Sequence, residues 1–317
     1  SGLKYFLLGA FGSAIFLYGS ALLYASTGTI SLGALLEVGS GGPLGVAGVA
    51  LIAVSLLFKA SVFPFHLWVP DVYQGSATPI TGFMATTTKV AAFAFLMQIA
   101  FLLPESSAGL MAALSVLTMA VGNLAALVQS DLKRMLAYSS IAHAGTMLLA
   151  IAAGLAGDPQ AGGAVQAVLY YAAAYVFTTG GAFGLLSLLE RDGETFTQLR
   201  SLRGLASRRP VVAATLTLFM LSLGGIPLTG GFLGKYFVFA TAVRAGMVGA
   251  AIVGVLLSVV ALGYYLRVVV AMYMEPRPDD LPEGETREVA VALPAALCVV
   301  MVIALGVLPG LFIGRVF

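Results

Sequence analysis

Apolar runs of membrane length alternate with short polar connections along this chain. A helix needs roughly 20 apolar residues to cross a bilayer, and runs of about that length fall at 3 to 25, 44 to 67, 78 to 103, 108 to 128, 133 to 155, 163 to 189, 210 to 242, 247 to 273 and 288 to 314. The connections leave no room for a separate soluble domain, so residues 1 to 317 read as one all-α transmembrane domain of nine helices. The first run, Leu3 to Tyr24, follows a single Lys as a signal peptide would. Eight further spans follow it without a convincing small-x-small cleavage site, so it reads as a retained helix.

Composition agrees with this pattern. Hydrophobic residues make up 60% of the chain and charged ones 9%, far below the roughly 25% of a soluble domain. Numbering the two membrane faces alternately puts Lys4, Lys133, Arg134, Arg191, Arg200, Arg203, Arg208, Arg209, Arg277 and Arg287 on the face of residue 1. Only Arg244 and Arg315 fall on the other. A bias of that size is lost if one span is added or dropped, so it supports the span count and a cytoplasmic face for residue 1. The basic residues form no single patch, which argues against a nucleic-acid partner. Cys298 is the one cysteine, and His66 and His143 lie on separate segments, so no zinc, haem or iron-sulfur ligand set is visible and cofactors are expected elsewhere.

Three lysines interrupt apolar spans: Lys59 in SLLFKASVFPF, Lys89 in TTTKVAAFAFL and Lys235 in GGFLGKYFVFA. A cation near a helix centre costs on the order of 2.5 to 3.5 kcal/mol on insertion scales and usually faces a bundle interior or an aqueous cavity. Snorkelling to a nearby helix end is the simpler explanation for any one of them, and it is the one expected for Lys4 and Lys133. Apart from Glu288 at the very start of the last, no Asp or Glu lies within the nine spans, so no buried carboxylate holds these amines charged. A lysine in such a place can release and regain a proton.

Helical spacing adds polar stripes. Ser55, Lys59 and His66 share a face if one helix carries them, as do Ser139, His143 and Thr146, and Tyr171, Tyr175 and Thr178. These stripes suit ordered water between the lysines, although Ser and Thr in membrane helices also bond back to their own backbone. A histidine within an apolar span suits proton carriage, or plain hydrogen-bonded packing.

Two lysine segments carry helix breakers: Pro64 and Pro70 after Lys59, and Gly224, Gly225, Pro227, Gly230 and Gly231 before Lys235. Each is expected to be discontinuous rather than merely kinked, with helix ends aimed at an ion path. They are the second and seventh segments, so they cross in opposite directions, as inverted-topology repeats require. The GGFLGKY run is not a phosphate loop, because Thr229 replaces its first glycine and Tyr236 its final Ser or Thr.

The run FKASVFPFHLWVPDVYQGSATPITGFMATTTKVAAF resembles the proton-translocating antiporter-like subunits of respiratory complex I. So do QSDLKRMLAYSSIAHAG and LSLGGIPLTGGFLGKYFVF, and the likeness extends over essentially the whole chain. FHLWVPDVYQG, and lysine rather than glutamate at Lys235, look most like the subunit N type. Na+/H+ antiporter complexes and membrane-bound hydrogenases share the superfamily and are the nearest alternatives, with a stand-alone cation permease more distant.

The resemblance implies a fourteen-helix subunit with two inverted half-channels. Under it, residues 1 to 103 end the first half-channel, 108 to 273 form the second, and 288 to 314 form a terminal helix. Lys59, Lys89 and Lys235 become proton-translocating residues with His143 and His66 in support, and Pro64, Pro227, Gly230 and Gly231 mark the broken helices. The first five helices, one bearing a glutamate that pairs with the Lys59-type residue, are expected to precede residue 1 in a longer chain. NADH, FMN, iron-sulfur clusters and quinone are expected in partner subunits of the membrane and peripheral arms. The cell inner (plasma) membrane is the expected location, with the carboxyl end opposite the cytoplasm.

Overall fold

A computed structural model describes residues 2–157, 163–189, 197–276 and 289–312. Among these the chain is helical, with one isolated antiparallel bridge between Asp131 and Gln198 and no strand. In order the helices are α1 (Gly2–Thr27), α2 (Leu32–Val38), α3 (Pro43–Ala60), α4 (Val69–Gly75), α5 (Thr78–Phe83), α6 (Lys89–Ala100), α7 (Ser107–Leu127) and α8 (Leu132–Leu155). They continue with α9 (Gly163–Leu189), α10 (Leu205–Arg208), α11 (Pro210–Gly224), α12 (Gly230–Arg244), α13 (Val248–Met274) and α14 (Val289–Val307). Seven helices are long and apolar enough to span, counting α5 to α6 as one run through a π-helical turn at Met84–Thr88. The expected seventh segment is divided into α11 and α12, and the ninth is α14, so each of the nine expected segments contains helix. Arg191, Arg277, Arg287 and Arg315, used above to orient the chain, lie outside the described residues.

The bundle is built around α8. In its most apolar 18-residue window, 94% of α8 is buried, against 17% for α1, which lies at the edge against α3. A helix apolar on all sides belongs in an interior, and α8 is in contact with α4, α6, α7, α9 and α12. Its closest partner is α7, and small residues set that approach. A Cβ on Gly122 would lie 2.5 Å from the backbone nitrogen of Ala142. On the same seam Ser115 donates to the carbonyl of Gly145 at 2.8 Å.

Both expected breaks are present. Helix α3 stops at Ala60, where Ser61 takes a left-handed conformation (φ 68°), and Pro64 follows within the turn. The amide of Ser61, that of Val62 and the indole of Trp68 satisfy the carbonyls left at this helix end. Helix α11 ends at Gly224, and Gly225 (φ 87°) turns the chain into a loop containing Pro227. Helix α12 then begins at Gly230, and a Cβ on Gly231 would stand 1.9 Å from the Ser222 carbonyl oxygen, so only glycine fits.

Three expectations change. Ser55, Lys59 and His66 do not form one stripe, because the helix ends six residues before His66; Ser55 instead donates to Gly12 on α1. Lys133 does not snorkel. It is fully buried and donates to the Ser76 carbonyl at 2.5 Å, because the α4–α5 hairpin packs over the start of α8. Arg267, an intramembrane charge missing from the account of buried cations, donates to the Leu127 carbonyl at 2.8 Å and to that of Gln129, satisfying the end of α7.

Candidate proton path

The π-helical turn places Lys89 at the head of α6 with its side chain directed into the core, 1% exposed. Its ammonium donates to the carbonyl and to the hydroxyl of Ser140 on α8, both at 2.5 Å. Tyr175 on α9 donates to the same hydroxyl at 2.8 Å, and its ring lies under the ammonium, 5.9 Å from nitrogen to centroid. A mid-membrane cation is thus solvated by a serine, a backbone carbonyl and an aromatic face, with no acid among the described residues beside it.

His143 lies one helical turn along α8 and is held from both sides. Its Nδ1 is 2.6 Å from the Tyr171 hydroxyl and its Nε2 is 3.1 Å from that of Tyr265. Tyr265 also bonds Ser139, and its neighbour Tyr264 donates to Asn123 on α7 at 3.0 Å. The rings of His143 and Tyr175 are 5.3 Å apart, which places the histidine beside the Lys89 cluster. Ser140, Tyr264, Tyr265 and Asn123 therefore join the site beside Ser139, which the sequence stripe already named. Of these four, only Ser140, next to that stripe, was hinted at in sequence.

Lys235, 8% exposed, projects from α12 to the break, where it donates to the Gly224 carbonyl at 3.0 Å. This carbonyl is the last of α11 and carries the negative end of the helix dipole, so the break supplies the counter-charge that no carboxylate provides. Lys235 and His143 line one small cavity of about 10 Å³ with Asn123, Thr146 and Tyr264, about the room needed for one water. A second cavity of that size lies between His143, Tyr171, Tyr175, Thr178 and Ser222. On its other side Lys235 reaches a cavity of about 780 Å³ between α12 and α13.

The remaining candidates lie apart. Lys59 is exposed on α3 and makes no hydrogen bond or ion pair among the described residues, which bury Lys89 and Lys235 of the three lysines. His66 is buried and stacked on Phe63, with Nδ1 unpartnered among the described residues. It does not join the Lys89 to Lys235 cluster through any hydrogen bond among those residues.

Broken helices around a buried lysine and histidine network define a polytopic membrane protein of the antiporter-like class. The chain belongs to the family described as NADH:quinone oxidoreductase/Mrp antiporter, transmembrane, whose model matches residues 1–261. It is 44% identical over 320 residues to NADH-quinone oxidoreductase subunit N of Mycobacterium bovis, covering 98% of this chain and 59% of that one. Against the Myxococcus xanthus subunit N, identity is 44% over 356 residues, covering 99% and 67%. A chain of respiratory complex I from Thermus thermophilus superposes with a TM-score of 0.82 at 43% identity, over 98% of this chain and 67% of that one. This sequence thus spans about three fifths of the Mycobacterium relative.

Proposed function

We propose that this chain forms the distal part of a subunit-N-type proton-translocating subunit of NADH:quinone oxidoreductase, moving protons between Lys89 and Lys235. The observation that carries the reading is the polar file through α8: Lys89 to Ser140 to Tyr175, then His143 between Tyr171 and Tyr265, then a water-sized cavity shared with Lys235. Burial disfavours a charged amine, and each lysine here has neutral or dipolar acceptors rather than a carboxylate. Neither is locked as a cation, so each suits a carrier that alternates between states.

In this reading Lys89 receives a proton and passes it through the Ser140 and Tyr175 hydroxyls toward His143. His143 accepts at one ring nitrogen while releasing from the other, and the cavity it shares with Lys235 has room for one water to complete the transfer. Lys235 then releases the proton to the far side of the membrane. Quinone reduction in neighbouring subunits, which hold the NADH, FMN and iron-sulfur sites, biases the lysines electrostatically. The subunit lies in the inner (plasma) membrane beside other membrane-arm subunits, with residue 1 cytoplasmic.

The test is Lys235→Ala and Lys89→Ala in the assembled oxidoreductase, scored by proton uptake into vesicles alongside NADH oxidation. Reduced pumping with normal assembly is the expected result, and unchanged pumping sinks the assignment. The shared family gives one second reading, a subunit of a Na+/H+ antiporter complex. Sodium efflux that persists without NADH and quinone would select it.

A further inference from the structure

Arg208 and Arg209 line a cavity of about 620 Å³ whose other lining residues, Thr215 apart, are apolar. Leu185 and Leu188 at the end of α9, Val212 on α11, and Ala296, Val299 and Val300 on α14 form its apolar walls. Arg208 ends α10 and Pro210 opens α11, so the guanidinium groups stand where the chain enters the bilayer. The α14 walls run inward from that level: at 1.5 Å per residue, Ala296 and Val300 lie roughly 10 and 16 Å along the helix from Val289.

The shape and the charge together select an occupant. Apolar walls of this extent within a membrane are filled by hydrocarbon, while two arginines at the mouth call for an anion. A small free anion meets only the second demand and a zwitterionic lipid meets the first with no net charge for the second. Each guanidinium offers five donors in a planar fork suited to phosphate, so a headgroup adds to the partners these arginines already have. The arginines also lie on the membrane face that collects basic residues, where anionic headgroups are attracted electrostatically.

We infer that this cavity binds an anionic diacyl phospholipid, its phosphate on Arg208 and Arg209 and one acyl chain between α9, α11 and α14. The site is separate from the Lys89 to Lys235 path, so it stands whether or not that path carries protons.

The assembled complex in nanodiscs, supplied with phosphatidylglycerol bearing a photoreactive group late in one acyl chain, provides the test. Labelling is expected on peptides holding Val212, Val299 and Val300, and not with the matching phosphatidylcholine probe. The R208Q/R209Q variant is expected to lower labelling by about 25-fold, given about fivefold per surface arginine, and R208K/R209K to retain much of it. Should R208Q/R209Q fail to assemble, Ala296→Trp, at an exposed α14 position, fills the groove with both arginines intact and is expected to abolish labelling. Equal labelling by phosphatidylcholine, labelling indifferent to these substitutions, or displacement by inorganic phosphate alone would each overturn the proposal.

Discussion

The ammonium of Lys235 lies 3.0 Å from the carbonyl oxygen of Gly224, so the lysine on one half of a broken helix caps the other half. Eleven residues separate them in sequence, and the bond exists only because Gly225, Pro227 and Gly231 fold the chain back on itself. The break therefore both creates the acceptor and presents the donor.

Replacing Lys235 removes the carrier proposed above and leaves the Gly224 carbonyl at the end of α11 without its cation. Lys235→Ala is expected to lower proton flux through this subunit on the order of 10²-fold, the scale of a lost general acid or base. Lys235→Arg keeps the charge but cannot release a proton, so it is expected to restore thermal stability without restoring flux. Vesicle acidification paired with a melting curve separates these outcomes, and an active arginine variant would contradict the carrier role.

At Lys89 the stability and transport effects should part company. Lys89→Met replaces a buried cation with an apolar chain of similar length, so its melting temperature is expected to hold or rise while pumping falls. Ser140→Ala spares the carbonyl that also accepts from Lys89 but takes this acceptor from the buried Tyr175 hydroxyl, so it is expected to cost about 1 to 3 kcal/mol of stability. Calorimetry of both variants checks the contrast.

His143 has a tyrosine on each ring nitrogen, and each hydroxyl fixes its tautomer in part. Tyr265→Phe also strips Ser139 of its partner, so it is expected to destabilise by about 1 to 3 kcal/mol. In a double-mutant cycle, Tyr171→Phe and Tyr265→Phe should be non-additive for pumping, since both act through one imidazole. Strict additivity would show that the histidine merely packs.

The Lys4–Asp71–Arg134 cluster ties α1 and α4 to the start of α8 at the membrane surface. The Lys4 hydrogen bond, with Arg134 beside it, holds the Asp71 carboxyl below its ordinary range. A depressed carboxylate value gives stability above the ordinary value and loses it as pH falls through the lowered one. The melting difference between the wild type and Asp71→Asn is thus expected to be largest near neutrality, to begin falling near the ordinary value of roughly 3.9, and to vanish only below the lowered one. A difference that grows on acidification would reverse the sign and refute the pairing.

Gly122→Val tests the central seam. Its Cβ would meet the Ala142 backbone at 2.5 Å, and backbone on a buried helix cannot swing away. A loss of about 1 to 3 kcal/mol or more is expected, with weakened assembly on a native gel.

Hydropathy and breaker residues were enough to locate the spans, the two breaks and the lysines within them, because membrane insertion and proline or glycine sterics act over a single turn or a single helix. Two local readings failed for reasons outside their own segment. Lys133 sits at a helix start, where sequence argues for snorkelling, yet the α4–α5 hairpin covers it. Lys59 and Lys89 look alike in an apolar run, yet one is exposed and the other 1% exposed, according to which helices pack alongside.

Partners were decided by tertiary structure alone. Tyr265 approaches His143 across 122 residues, Arg267 reaches Gln129 across 138, and Lys89 reaches Ser140 across 51. A span's polarity can be read from its own side chains. Which polar atom answers another depends on crossing geometry, fixed here where glycines such as Gly122 let α7 and α8 meet backbone to backbone.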